Sequence, residues 1–518
     1  MLTYKSKLFS LFFFTISITF LSCKKKENKN EKINILFIMT DDHSYQAISA
    51  YNDQLIKTPN LDRIAKDGVL FRNSFVGNSI CGPSRATMLT GKHTHKNGQI
   101  NNRVKFDGNQ VTFPKLLQKA GYQTALIGKW HLKSDPQGFD YWNILPGQGK
   151  YYNPDFIEMG KKKRVEGYAT NVTTDYGINW IKNRDKKKPF CLLLHHKAPH
   201  RTWQPDTLHI DEFKNKTYPV PANFFDKYEN RVAAKEQRLS IRSRDMDLNY
   251  DLKLEHESIK GRFGKVKHTK RMNEAEANRW NAHYKPITKE FLEKKLEGDE
   301  LDLWKYQRYM RDYLACIRSV DENVGRVLDY LEENGLADNT LIVYTSDQGF
   351  YLGEHGWFDK RFMYEQSFRT PLLMRLPKGY ERKGEVPALV QNIDYAPTFL
   401  DIAGVTIPKE IQGNSIKPLL LDNTNDNKWR DAVYYHYYEF PNEHMVKKHY
   451  GVRTDRYKLI HFYDDIDVWE LYDLQTDPEE MNNLFGKPEY KVLTKQLKKR
   501  LRELQVEYED DTVEKVKI

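Results

Sequence analysis

One short stretch of the chain combines a cysteine, a proline and an arginine at spacings that could bind an anion. Cys81 follows a polar loop, Pro83 suits the first turn of a helix, and Gly91 can end that helix. Cys81 would then lie at a helix N-terminus, where free backbone N–H groups favour an anion. Arg85, one turn further on, can present a planar fork of donors to the same anion. Taken alone, the pattern also fits a buried thiol beside a surface arginine.

Oxygen-bearing side chains follow two apolar runs that are typical of buried strands. These side chains are Asp41 and Asp42 after the run at 33–39, and Asp347 and Gln348 after the run at 341–345. Adjacent carboxylates repel one another unless a cation or hydrogen-bond donors compensate them. Together the four side chains offer a set of hard oxygen ligands suited to Ca²⁺. An aspartate pair that caps a helix is the alternative.

Lysine and histidine follow two further predicted strands. Gln123 to Ile127 leads into Lys129 and His131, and Phe190 to Leu194 leads into His200. Open α/β sheets bind ligands outside the carboxyl ends of their strands, so four such ends predict one common polar site. A lone histidine is more often structural than catalytic, and the residues alone leave that alternative open.

The composition allows a large folded domain and a smaller one. The chain has 518 residues, of which 39% are hydrophobic and 13% aromatic, enough for a substantial core. Its 82 basic and 71 acidic residues give a net charge of +11. This bias is compatible with an anionic substrate and equally with a lysine-rich solvated surface. No basic repeat or nucleic-acid motif is present, so we expect no nucleic-acid partner.

The first 22 residues predict an export signal. Lys5 and Lys7 precede an apolar run from Leu8 to Leu21, which is short for a membrane span. Cys23 follows directly and resembles a bacterial lipoprotein processing site, although Phe20 and Leu21 are larger than usual there. We therefore expect a lipid anchor on Cys23, a tether over 23–32, and a location in the periplasm or at the cell surface, as an outer-membrane lipoprotein. Plain cleavage and release is the alternative.

The remaining chain divides into a catalytic domain over 33–425 and a C-terminal α+β subdomain over 426–518. Residues 205–300 are highly charged and predict an insertion whose charges are solvated. Leu303 to Glu333 has the periodicity of a long helix. In the last hundred residues the predicted elements are strands at 433–440, 450–463 and 469–474 and a closing helix at 490–508.

Several strings together resemble the type I sulfatase family, from about Ile33 to Leu484. Cys-x-Pro-Ser-Arg followed by Leu-Thr-Gly resembles the family signature around Cys81. Lys129 and His131 match its Gly-Lys-Trp-His motif, and His200 matches Ala-Pro-His. Lys360 stands at the place of a sulfate-contacting lysine. The resemblance implies an α/β fold of the alkaline-phosphatase type, with helices on both sides of a large mixed sheet and a smaller C-terminal α+β domain.

The resemblance also implies a mechanism. A maturation enzyme would oxidise Cys81 to formylglycine (3-oxoalanine), whose hydrate attacks sulfur. The implied Ca²⁺ ligands are Asp41, Asp42, Cys81, Asp347 and Gln348, the last standing where many relatives have Asn or His. The residues implied to stabilise sulfate charge are Arg85, Lys129 and Lys360. His200, assisted by Lys360, would protonate the departing alcohol, and His131 would help the enzyme-bound sulfate to leave.

The string from Ser346 to Arg361 most resembles the N-acetylglucosamine-6-sulfatase branch. Asp359 and Arg361 would supply an acceptor and a forked donor to sugar hydroxyls, and His449 would close the pocket. We therefore expect a sulfated glycan substrate, of glycosaminoglycan or mucin type. Asp359 and Arg361 pairing only with each other is the alternative. Other open functions are a sulfatase for another sugar, a phosphoester or phosphonate hydrolase, and a non-catalytic glycan-binding lipoprotein.

Overall fold

The computed structural model describes residues 1–2, 32–380, 382–421 and 429–512. By their contacts, residues 33–518 group as one compact unit. The predicted signal, Cys23 and the tether therefore lie almost entirely outside the described residues. Among the helices that the structure describes, none is both long and apolar enough to cross a membrane.

A ten-stranded mixed sheet forms the centre of the unit. In chain order the strands of the protein are β1 (Asn34–Asp41), β2 (Val69–Phe71), β3 (Ser74–Phe75), β4 (Gln123–Lys129), β5 (Tyr141–Leu145), β6 (Asp155–Glu158), β7 (Lys161–Arg164), β8 (Phe190–Pro199), β9 (Thr340–Ser346), β10 (Leu372–Arg375), β11 (Gly384–Val386), β12 (Val390–Gln391), β13 (Ala432–Tyr437), β14 (His449–Thr454), β15 (Tyr457–Phe462) and β16 (Val468–Asp473). The large sheet has the order β11-β2-β10-β9-β1-β8-β4-β5-β6-β7, and β9, β1, β8, β4 and β5 run parallel.

Helices cover both faces of this sheet. They are α1 (Pro59–Asp67), α2 (Cys81–Thr90), α3 (Thr94–Asn97), α4 (Phe113–Lys119), α5 (Ala169–Asn183), α6 (Val232–Glu236), α7 (Glu274–Lys294), α8 (Gly298–Glu333), α9 (Glu365–Phe368), α10 (Tyr395–Ile402), α11 (Lys417–Leu421) and α12 (Lys491–Glu507). Successive β1 side chains point to opposite faces. Leu36 and Ile38 pack in the core with α8, whereas Phe37 and Met39 pack in the core with α10. Burial on both faces explains the continuous apolar run in β1 and confirms the predicted sandwich.

The C-terminal region is an antiparallel sheet with one helix on it. Strands β13 to β16 pair in sequence order, and α12 packs Leu497, Leu501 and Leu504 against Tyr434 and Val452. This confirms the predicted α+β character, with the run at 450–463 divided into β14 and β15. The predicted boundary near residue 425 lies within 422–428, outside the described residues, and stays a prediction.

The charged segment over 205–300 corrects one expectation. Its charges are not all solvated, because Arg231 donates to both oxygens of buried Asp226, at 2.6 and 2.7 Å. Lys253, also buried, lies 2.9 Å from Asp312 of α8. Trp280 of α7 belongs to the same core as the large sheet. Paired charges can be buried where isolated ones cannot, so this segment contributes to the core.

Candidate active site

The sheet order brings the four predicted strand ends together. β9, β1, β8 and β4 are consecutive neighbours and run in the same direction, so their carboxyl ends lie at one edge. Asp41 is the last residue of β1, and Lys129 is the last residue of β4. Asp347 follows β9 directly, and His200 follows β8. Residues far apart in the chain therefore converge, as expected for an open α/β sheet.

Helix α2 delivers the cysteine to this edge. The helix begins at Cys81 and ends at Gly91, whose φ of 64° is the left-handed conformation that glycine tolerates. All ten of its residues are buried. The Cys81 thiol donates to Asp41 Oδ1 at 3.2 Å and lies 3.6 Å from Gln348 Nε2. Burial raises the pKa of the Cys81 thiol to about 12.

Three buried carboxylates and three buried cations form one-to-one pairs at the centre of the site. The pairs are Lys129 with Asp41, Lys360 with Asp42, and Arg85 with Asp347. Lys360 Nζ donates to the two oxygens of Asp42 at 2.7 and 2.8 Å. Arg85 Nε donates to Asp347 Oδ2 at 3.0 Å. Since a buried charge is tolerated only when it is compensated, this pairing offsets part of the cost of burying six ionisable groups together.

The carboxylates also fit a divalent cation. One oxygen from each of Asp41, Asp42 and Asp347 lies within 4.8 Å of the other two. Gln348 donates from Nε2 to Asp42, while its buried Oε1 has no hydrogen-bond partner within the described part of the chain. Carboxylate and amide oxygens are the ligands that Ca²⁺ prefers. The structure therefore supports the predicted donor set by its chemistry.

The two predicted catalytic histidines are both neutral in this arrangement. Burial, with the charges of Lys129 and Arg85, lowers the pKa of His131 to about 2, and its buried Nδ1 has no partner among the described residues. Burial and Lys129 also lower the pKa of His200 well below its usual value. His200 Nδ1 donates to the Arg201 carbonyl at 2.6 Å, and its Nε2 lies 3.8 Å from Asp42. Each ring thus keeps one nitrogen free to accept a proton.

Asp359 and Arg361 adjoin Lys360 and contact each other. Arg361 Nε lies 3.3 Å from Asp359 Oδ1, and its Nη1 lies 3.4 Å from Glu439. Asp359 also lies 3.4 Å from Nε2 of His444. The pairing left open from the sequence is thus real, but each partner has a further contact. The result is a polar cluster that joins the catalytic region to the C-terminal region.

The structure corrects the prediction for His449. This residue is the first of β14 and is fully buried, with its ring between Tyr435 and Phe462. Its Nε2 accepts a hydrogen bond from the Met363 amide at 3.0 Å, and its Nδ1 donates to the Lys447 carbonyl at 2.7 Å. Both nitrogens are occupied, so His449 has no group left for a substrate. His444, five residues earlier, is the histidine that lies 3.4 Å from Asp359.

Other residues of the site were missed because their local sequence carries little signal. Gln148 accepts from Lys129 Nζ at 2.5 Å, although it lies in a loop without a recognisable pattern. His444 and Glu439 belong to the connection between β13 and β14. Lys197 lies near the end of β8, and its place before Ala198 and Pro199 was the one available hint. These residues come close to the site only through contacts between segments that are distant in the sequence.

Comparison with known proteins supports the sequence resemblance. The family model described as Sulfatase matches residues 33–405, and the model described as N-sulphoglucosamine sulphohydrolase, C-terminal, matches residues 353–507. An N-acetylglucosamine-6-O-sulfatase of Bacteroides thetaiotaomicron is 52% identical over 507 residues, covering 96% of this chain and 90% of that protein.

Two solved structures extend the comparison. One, described as a complex with its substrate D-glucosamine-2-N,6-O-disulfate, has a TM-score of 0.90 and 53% identity, covering 93% of this chain and 99% of that chain. The phosphonate monoester hydrolase of Agrobacterium radiobacter has a TM-score of 0.65 at 20% identity, covering 92% and 96% of the two chains, and shares the fold alone. The predicted alkaline-phosphatase-like fold is confirmed.

Proposed function

The chain belongs to the sulfatase family, and from this premise we propose that it hydrolyses the 6-O-sulfate ester of N-acetylglucosamine in glycans. The observation that carries the proposal is Cys81 at the centre of three buried carboxylates and three buried cations. The likeness to a named N-acetylglucosamine-6-O-sulfatase at 52% identity supports the choice of sugar.

Two groups complete the proposed site. Formylglycine at position 81, made by a maturation enzyme, would supply one hydroxyl to attack sulfur and a second whose deprotonation releases sulfate. Asp41, Asp42, Asp347 and Gln348, together with residue 81, would hold Ca²⁺, which would supply positive charge beside the sulfate oxygens. The three carboxylates and the free Gln348 Oε1 support that assignment.

The chain's own cations are arranged to stabilise an anion. Three cations near Cys81 are each held in place by one carboxylate. The pairs are Arg85 with Asp347, Lys129 with Asp41, and Lys360 with Asp42. Fixed charges in a water-poor site stabilise developing negative charge without reorganisation, which is the main catalytic effect proposed here.

The protonation states of His131, Lys360 and His200 indicate which of them accepts and which donates a proton in the proposed reaction. His131 is neutral with a free Nδ1, which suits acceptance of a proton during sulfate release. Burial alone would lower the pKa of Lys360, but Asp359 and Asp42 raise it above its usual value, so Lys360 is an ammonium throughout. His200 is neutral at rest and acquires the donor role when the negative charge of the substrate raises its pKa.

We assign the sugar specificity to Asp359, Arg361 and His444. A forked donor and an acceptor that bind neighbouring hydroxyls penalise the wrong epimer, because they are then left unpaired. The test offers 6-sulfated N-acetylglucosamine and 6-sulfated N-acetylgalactosamine to wild type, Asp359→Asn and Arg361→Lys. We expect the wild type to prefer the first by roughly a hundredfold or more and each variant to lose most of that ratio.

The controls separate specificity from activity. A 4-nitrophenyl sulfate and a 4-nitrophenyl phosphate assay would show whether the protein is a sulfatase rather than a phosphoester hydrolase. Equal rates on the two sugars, with hydrolysis intact, would refute the specificity and leave the sulfatase assignment standing. Absence of hydrolysis with formylglycine confirmed by peptide mass would refute the function itself.

We also propose export and a lipid on Cys23. The apolar run from Leu8 to Leu21 followed by cysteine supports this location in the cell envelope. A Cys23→Ala variant should leave the membrane fraction after a salt wash. Retention of that variant in the membrane would refute the anchor.

A further inference from the structure

A cavity opens beside the active site on the side of the proposed proton donor. It has a volume of about 400 Å³, within the usual range for ligand pockets of roughly 300–1,000 Å³. His200, whose Nε2 lies 3.8 Å from Asp42, lines it, and so does Gln148, which accepts from Lys129. Because His200 faces the departing alcohol in the proposed reaction, the cavity lies on the side of the scissile ester from which the sugar leaves.

The walls of the cavity are strongly cationic. Of the described residues that line it, six are lysine or arginine and none is acidic. The two arginines are neutralised locally, since Arg201 lies 2.7 Å from Asp251 and Arg271 lies 2.9 Å from Asp155. The four lysines are Lys150, Lys197, Lys267 and Lys270, and none of their Nζ atoms has a hydrogen bond or ion pair to another described residue. Their positive charge is therefore uncompensated and attracts an anion.

Lys197 shows this imbalance most clearly. Its side chain is buried, with the residue 5% exposed, and its Nζ lies over the Tyr151 ring at 4.6 Å. Burial lowers its pKa to about 7, and an adjacent anion would raise that pKa by stabilising the ammonium. A buried amine at a cavity wall with no ion-pair partner gains its full charge only beside an anion, so the position of Lys197 fits an anionic ligand.

From this charge distribution we propose that the cavity binds a carboxylate or sulfate on the sugar next to the one whose 6-O-sulfate is removed. The inference rests on the proposed function and narrows it, because it favours a glycan with an acidic sugar next to the sulfated one over a glycan with a neutral neighbour. Tyr250, which lines the same cavity and packs on Phe263 at 4.6 Å between ring centroids, offers an aromatic surface for the sugar ring.

The test compares three substrates that share the same scissile ester. They are the 6-sulfated N-acetylglucosamine monosaccharide, its disaccharide with a uronic acid, and its disaccharide with a neutral hexose. We expect wild type to have about tenfold higher kcat/KM for the uronic acid disaccharide than for the neutral one, and the preference to fade at high salt. In Lys267→Ala/Lys270→Ala the ratio should fall to about one.

A matched control variant separates loss of the cavity's lysines from loss of positive charge in general. Lys186→Ala/Lys187→Ala removes the same charge from an exposed loop that does not line the cavity, and it should keep the tenfold ratio. Equal kcat/KM for the two disaccharides in wild type, or an unchanged ratio in the Lys267/Lys270 variant, would overturn the inference. Failure of the proposed function is recognised separately, because then even the monosaccharide is not hydrolysed.

Discussion

Replacing Lys360 by methionine removes the cation that neutralises the buried carboxylate of Asp42. The side chains are similar in length, so the change is mainly one of charge. Asp42 is 0% exposed and receives two hydrogen bonds from Lys360, at 2.7 and 2.8 Å. Gln348 would remain as a donor to Asp42, but it carries no charge. The variant tests whether charge pairing holds the site together.

The expected magnitude follows from that burial. Removing one partner of a buried ion pair typically costs about 3–5 kcal/mol, since the other charge is left uncompensated. Unfolding entropy of about 2.1 cal/mol/K per residue gives roughly 1 kcal/mol/K for a unit of this size, so Tm should fall by about 3–5 °C. Loss of an electrostatic contact to the sulfate should lower kcat by about 10²–10³.

Calorimetry in EDTA and then in excess Ca²⁺ provides the assay, with Lys360→Arg as the control that keeps the charge. Because Lys360 and a bound cation both neutralise Asp42, Ca²⁺ should raise the Tm of Lys360→Met more than that of wild type. A Tm within 1 °C of wild type in EDTA, or a larger Ca²⁺ effect in wild type, would refute this reasoning.

Further predictions concern the nucleophile, the metal, the corrected histidine and a buried acid. Cys81→Ala should fold yet hydrolyse sulfate esters at background rate, as measured by steady-state assay. Asp347→Asn should lose bound calcium in elemental analysis, because the ligand set loses a charge while Arg85 keeps its own. His444→Gln should raise KM for the sugar, whereas His449→Gln should lower Tm by weakening two buried hydrogen bonds while KM stays unchanged. Burial raises the pKa of Glu354 to about 7, above its unfolded value, so the folded state loses stability as pH rises through that range. Glu354→Gln has no such loss. Its free energy of unfolding minus that of wild type, measured by calorimetry, should therefore be about 1–3 kcal/mol larger at pH 8 than at pH 5.

Secondary structure was predictable wherever the pattern is local. The apolar run at Ile33–Met39 corresponds to β1 (Asn34–Asp41), and the periodicity over Leu303–Glu333 corresponds to α8, which begins earlier at Gly298. A strand buried on both faces needs a continuous apolar run, and a helix packed on one face needs a 3.6-residue period. Both requirements act within one element, so they are visible without the fold.

The charged segment shows where local pattern fails. Composition alone cannot separate a charge in water from a charge paired in the core. Lys253 is buried because Asp312, 59 residues away, lies 2.9 Å from it. His449 and His444 are likewise equivalent by residue type, and strand pairing in β14 decides which one is enclosed by aromatic rings.

The sequence by itself determined the chemistry available to this protein: a cysteine at a helix start, acids after two strands, and lysines and histidines after two others. Only the tertiary structure decided which of these groups act on one another. Lys360 neutralises Asp42 across 318 residues, and four unpaired lysines from three separate segments face one cavity. The reason is physical, because electrostatic energy depends on distance through space and on burial. The order of the strands sets both.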